Sequence, residues 1–183
     1  RLGAAYIESM NLEEVVRPSL QRVRDKTDNS VALAVLSDLD VLFLVYVSTK
    51  QLTRIVAGVG TRFPAYATSA GRVLLAYEDK EMQDDYFSKV VMEPLTEKTV
   101  TTKKEMKSIL NNVKKNRYSS TEGELDFGVV SVAVPVFNEE NKIIASISCS
   151  TASARSSEQK MIEEIVPELQ EAARDREFEL RKT

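Results

Sequence analysis

The 183 residues contain no histidine and no tryptophan, and cysteine occurs once, at Cys149. The missing histidine excludes Ser-His-Asp and Cys-His catalysis within the chain and every histidine-bearing metal site. With one thiol, neither an intrachain disulfide nor a thiolate metal site can form. A reducing cytoplasm and a protein without a metal or cofactor are expected. An enzyme built from this chain must work with carboxylates, Lys or Tyr alone. No apolar run approaches the roughly 20 residues of a membrane span, and no signal peptide is visible. Positive charge is outnumbered, with Lys+Arg 25 against Asp+Glu 28 and a net charge of -3. Such a surface is a poor nucleic-acid binder by itself, because phosphate neutralisation needs clustered Lys and Arg. Glycine is scarce too, and Gly58-x-Gly60 has neither a third glycine nor a βαβ context, so no nucleotide fingerprint is present. What is there suffices for one domain with a sizeable core, since 43% of residues are hydrophobic. The first residue is Arg1, not Met, and a fragment of a longer protein is expected.

The stretch over residues 60–76, Gly-Thr-Arg-Phe-Pro-Ala-Tyr-Ala-Thr-Ser-Ala-Gly-Arg-Val-Leu-Leu-Ala, begins as a turn and ends as a helix. Pro64 stops the preceding strand, lacking an N–H and fixing its own φ. Thr68 is a good N-cap. The N–H groups of Ser69, Ala70 and Gly71 then face open space with the positive end of the helix dipole behind them. That is a seat for a carboxylate or phosphate, or an ordinary capped helix.

The remaining order reads α-β-β-β-α-α-α-β-β-β-α. Residues 1–10 continue an incoming helix. Asn11 and Glu14 form a capping box for a helix over 11–26, which Pro18 kinks or divides. Strands are predicted at 30–36 and 41–47 around a turn at 37–40, with a third candidate at 52–56. Residues 80–91 read as a helix. Thr102 and Glu105 cap another, whose stripe of Met106, Ile109, Leu110 and Val113 faces inward while Lys114, Lys115 and Arg117 close a solvated end. Strands follow at 118–121, 129–137 and 142–150. One long helix capped by Ser156 or Ser157 ends the chain, bent at Pro167. Hairpins at both ends imply one antiparallel sheet with helices packed on it, an α+β domain.

Strand side chains alternate between faces. Val130, Val132, Val134 and Val136 make a core face, while Ser131 and Ala133 lie opposite. Ser146, Ser148 and Ser150 share a face in the next strand, away from Ala145, Ile147 and Cys149. A face of small, hydroxyl-bearing residues either admits a helix packed close or leaves a cavity with polar donors. Glu122, Glu124 and Asp126 could supply paired carboxylates for hydrolysis, but acids in a Gly-bounded loop read as a solvated turn. Cys149, amid apolar neighbours, reads as buried and inert.

Residues 60–76, with Glu124-x-x-x-Gly128, the run Ala133-Val134-Pro135-Val136-Phe137 and Ser146-Ile147-Ser148, resemble the C-terminal effector-binding domain of IclR-type bacterial transcriptional regulators. The stretch over residues 60–76 is most similar to the PcaR, PcaU and PobR branch. The resemblance implies a curved six-stranded antiparallel sheet flanked by helices, a GAF-like or profilin-like fold. It implies residues 1–10 as the end of a linker helix from a missing N-terminal winged helix-turn-helix domain, and 11–183 as the effector-binding domain. It further implies no catalysis, a small, aromatic carboxylic acid as effector, a homodimer or homotetramer, and DNA contact only through the missing domain. Carried across by position, Ser69 and Ala70 hold the carboxylate beside Thr68 and Gly71. Leu52 and Ile55 form an apolar wall, Thr121, Val129 and Ser131 line one side, and Ser148 and Ser150 the other. Thr121 and Ser131 then meet the ligand's distal end. A ligand-free dimerisation module and a carboxylate-based hydrolase are the competing readings.

Overall fold

The structure, a computed structural model, describes residues 2–49 and 56–180. Helix α1, Leu2–Thr27, runs unbroken through Pro18. Asn11 therefore lies inside this helix and caps nothing. Residues 2–10 are rich in Ala, Leu, Glu and Met, strong helix formers that continue the element upstream of a local capping pattern. Asp28, in the left-handed region at φ 54, ends it.

Strands β1, Ser30–Ser37, and β2, Asp40–Val47, form the predicted hairpin. Of the third strand candidate, residues 52–55 lie outside the described residues. The edge strand of the sheet is instead β3, Arg62–Pro64, paired with β2 through Asp40 and Pro64. A 3₁₀ turn, Ala65–Ala67, leads into α2, Ser69–Ala76. Helices α3, Lys80–Lys89, and α4, Lys103–Asn116, follow, the second capped by Thr102 as expected. Then come β4, Ser119–Glu122, β5, Val129–Phe137, and β6, Ile143–Ala152. The single final helix of the sequence reading is two, α5, Glu158–Glu164, capped by Ser157, and α6, Val166–Leu180. The break at Ile165 lies just upstream of Pro167, whose ring disfavours helical backbone before it and removes a helix bond.

The six strands make one antiparallel sheet in the order β3-β2-β1-β6-β5-β4, the curved six-stranded α+β architecture expected. Its two faces carry different cores. On one, Val31, Leu33, Val130, Val132, Val134, Ile147 and Cys149 pack under α1, α5 and α6. On the other, Ala34 and Ala133 meet Ala65, Ala70 and Val73 from the 3₁₀ turn and α2, with α3 and α4 packed outside. The predicted parity holds for the even valines of β5 and for Ala145, Ile147 and Cys149 of β6, all buried in the first core; at the register shift beside Phe137 it flips, so that Ile144 joins that core and Ile143 packs against the other.

Candidate functional site

The face of small residues is covered in one part and open in another, so both outcomes anticipated for it are found side by side. Over Ala34 and Ala133, α2 sits close. Gly71 lets α2 fold back tightly on the 3₁₀ turn that precedes it, since a Cβ there would lie 2.2 Å from the carbonyl oxygen of Ala65. Beyond the N-terminus of α2 the face is open, and a cavity remains between sheet and helix.

The cavity floor holds Thr121, Val129, Ser131, Ser148 and Ser150, and its roof Thr68, Ser69 and Ala70. Eight of the eleven residues proposed for the site therefore meet in one place. Leu52 and Ile55 lie outside the described residues. Gly71 does not line the cavity, and its N–H is not on offer: it donates to the Thr68 hydroxyl at 3.0 Å. The cap that organises the seat consumes that donor. Ser69 and Ala70, as the first residues of the helix, have no preceding turn to supply carbonyl partners for their N–H groups. Those groups carry the positive end of the dipole, which suits an anion.

Three hydroxyls are locked together below this seat. Ser131 Oγ donates to the Cys149 carbonyl at 3.2 Å. Its one proton being used, it accepts from Ser150 at 3.0 Å and from Ser69 at 2.7 Å. Ser131, expected at the distal end of a ligand, thus lies against the helix N-terminus.

The far wall was not foreseen. Phe43, Tyr46 and Phe63 line it, with Phe43 stacked on Tyr46 at 6.1 Å and edge-on to Phe63 at 5.6 Å. Phe43 and Tyr46 are three apart, a spacing that a regular strand places on opposite faces. The pairing of β1 with β2 passes from Leu33↔Val45 to Ala34↔Phe43. Leu44 is the extra residue of a bulge, and the bulge brings both rings to one side.

The acidic loop is not simply a solvated turn. Glu124 receives Arg72 Nη1 at 2.9 Å and Nη2 at 2.5 Å, and Arg72 Nε donates to the Tyr66 carbonyl at 3.0 Å. Arg72 is 2% exposed, so this is a buried, bidentate pair tying α2 to the loop. Thr99 holds the same loop through the Glu124 carbonyl at 2.6 Å. Leu125, next in sequence, reaches the cavity, while Glu122, Glu124 and Asp126 do not line it. The Cys149 thiol points to the opposite face, and burial pushes it up to about 12, as an inert core thiol requires.

A family described as bacterial transcriptional regulator IclR, C-terminal, matches residues 4–177. The chain belongs to the IclR family. The Pca regulon regulatory protein of Pseudomonas putida is 29% identical over 175 residues, covering 95% of this chain and 60% of that protein. The IclR domain described here thus spans about three fifths of that relative. Among solved structures, a double mutant of the PobR inducer-binding domain of Acinetobacter, in complex with 3-hydroxybenzoic acid, is 28% identical with a TM-score of 0.84. The match covers 90% of this chain and 97% of that one. An IclR homologue of Microbacterium hydrocarbonoxydans complexed with 4-hydroxybenzoate is 29% identical, TM-score 0.85, covering 95% and 70%. The curated relatives of this IclR domain are regulators of transcription, not enzymes. Among the described residues no helix is long and apolar enough to cross a membrane, and no cluster of acidic or Cys side chains could hold a metal ion.

Proposed function

We propose that this domain senses a small, aromatic carboxylic acid and passes the signal to DNA-binding domains elsewhere in the full regulator. The observation that carries this reading is the pairing of an anion seat at Ser69 and Ala70 with a wall of three aromatic rings across one cavity. The seat takes the carboxylate and the rings take the apolar body. Both solved relatives above hold hydroxybenzoates, which fits. In this reading residues 1–10 end a linker helix from an N-terminal winged helix-turn-helix domain, a role that the unbroken run of α1 from Leu2 supports. Residues 11–183 bind the effector. The assembly is a homodimer or homotetramer acting in the bacterial cytoplasm. Effector binding shifts an equilibrium between two quaternary arrangements and so changes the spacing of the DNA-binding domains.

Calorimetric titration with protocatechuate, 4-hydroxybenzoate, β-ketoadipate, pyruvate and glyoxylate tests it. An aromatic acid is expected to bind and to be recovered unaltered. Ser69→Asp places a carboxylate at the seat and is expected to weaken binding at least 100-fold through like-charge repulsion. Unchanged affinity would exclude this seat. A ligand-free dimerisation module is favoured only by the close packing of α2 over Ala34 and Ala133, and predicts silence across the panel.

A further inference from the structure

The net charge of -3 hides how unevenly the charges are placed. Helix α4 holds five lysines and one acid, Glu105. At about 100° per residue, Lys103, Lys114, Lys107, Lys104 and Lys115 fall within one arc of about 120°, beside the buried stripe of Met106, Leu110 and Val113. Asn111 shares the arc, Ser108 borders it, and Glu105 lies outside it. All five lysines are exposed. Among the described residues the ion pairs are made by cations of other elements, Lys26, Arg62 and Arg72 among them, and no lysine of α4 has an ionic partner. Lys107 has a ring contact, its Nζ lying 5.5 Å from the Phe87 centroid. Lys103 and Lys107, four apart on one face, repel each other and weaken the helix, not strengthen it.

Such a row calls for counter-charge from outside. From Lys103 to Lys115 it runs about 18 Å along the helix. One strand of duplex DNA presents a phosphate per about 3.4 Å of axis, so the row faces about five of them. A protein partner fits less well. Interfaces between proteins form round aromatic and apolar anchors and are poor in lysine, and the arc contains no apolar side chain. Lysine meets a phosphate as a point charge and needs no fixed fork geometry. For a member of a family of transcriptional regulators, the polyanion at hand is duplex DNA. We infer that the exposed face of α4 holds the DNA phosphate backbone, whatever the base sequence. Contact with DNA is then not confined to a separate DNA-binding domain. The acid cavity takes no part in it, and the inference stands whether or not an acid binds.

Anisotropy of a labelled duplex of arbitrary sequence, titrated with the domain between about 50 and 200 mM salt, tests it. At the lower salt the wild type is expected to bind with a Kd of about 10⁻⁴ M or tighter, and log K to fall against log salt with a slope of about -4. Lys104→Glu combined with Lys115→Glu is expected to weaken binding at least tenfold at the lower salt and to take about 2 from that slope. Lys26→Glu combined with Lys160→Glu makes the same change in net charge on α1 and α5, across the sheet, and is expected to weaken binding less than threefold. All four side chains are exposed, so both variants keep the core. No binding at the lower salt, equal weakening by both variants, or a slope that survives the α4 substitutions overturns the assignment. Self-association of the domain in sedimentation at low salt, abolished by the α4 substitutions while DNA is not bound, also overturns it and gives the face to a second copy.

Discussion

Gly71 is defined by the atom it does not have. Its Cα faces the 3₁₀ turn so closely that a methyl group would overlap backbone, and backbone cannot rotate out of the way as a side chain can. Gly71→Ala is expected to cost at least about 2 kcal/mol, as overpacking in a tight core does, measured by urea unfolding. Cys149 gives a residue-scale prediction of another kind. Burial raises the thiol's pKa from 9.0 to about 12 in the folded chain. Above pH 9 the unfolded chain gives up this proton and the folded one retains it, so stability falls as pH rises. The slope approaches about 1.4 kcal/mol per pH unit until the folded thiol also ionises. Tyr86, whose pKa burial likewise raises, adds a loss of the same sign from about pH 10. Cys149→Ala is expected to flatten the first part of that slope, and the native thiol to resist alkylation at pH 8. The inert thiol was legible, since a cysteine between apolar strand neighbours has one ordinary fate. The partner of Glu124 was not. Arg72 lies 52 positions away, and nothing local in either segment announces a pair that forms only when α2 and the loop meet.

At the scale of the element, α2 serves as lid and anion seat together, and Thr68 starts it. Thr68→Ala is expected to remove about 1 kcal/mol of stability, the ordinary worth of a cap. Thr102→Ala, at the N-terminus of α4, costs a comparable amount. Only the first is expected to lower acid affinity as well, by tenfold or more in a calorimetric titration, because only the first holds the cavity's donors in place. Capping and period-two alternation made α2, β5 and β6 readable, and with them the floor of the site. The readings that failed share a cause. Helix α1 begins before its apparent cap because favourable upstream residues extend it. Strand β2 hides its aromatic wall because a bulge, a product of pairing with β1, shifts parity mid-strand. Gly71 counts as a free donor only until the cap hydroxyl it serves is seen to occupy it.

The whole molecule is a sheet with a separate core on each side, and the cavity belongs to one of them. Ligand therefore stabilises the layer of α2 directly and the layer of α1, α5 and α6 only through the shared strands. An acid present at 100 times its Kd is expected to add about 2.7 kcal/mol. For a domain of this size that raises Tm by roughly 5–10 °C. Hydrogen exchange is expected to slow first in α2 and β2, while α5 lags. Equal protection of both layers would place the acid elsewhere.

One residue in β2 has no partner in the ladder, and a genetic consequence follows. Removing a single codon inside a strand ordinarily exchanges inner and outer side chains for everything beyond the cut. Here the loss of Leu44 joins Phe43 to Val45, the two residues that already face Ala34 and Leu33. The register is preserved, and Tyr46 stays on the cavity side while Val45 and Val47 stay in the core. What changes is the packing of Leu44 against the first core and the local twist, and with it the angle at which the Phe43 and Tyr46 rings meet. An in-frame deletion at this codon is thus expected to keep the alternation of β2 and to re-aim the recognition wall, at the cost of the contact Leu44 makes with the first core, an outcome that urea unfolding and acid titration of the deletion variant would check.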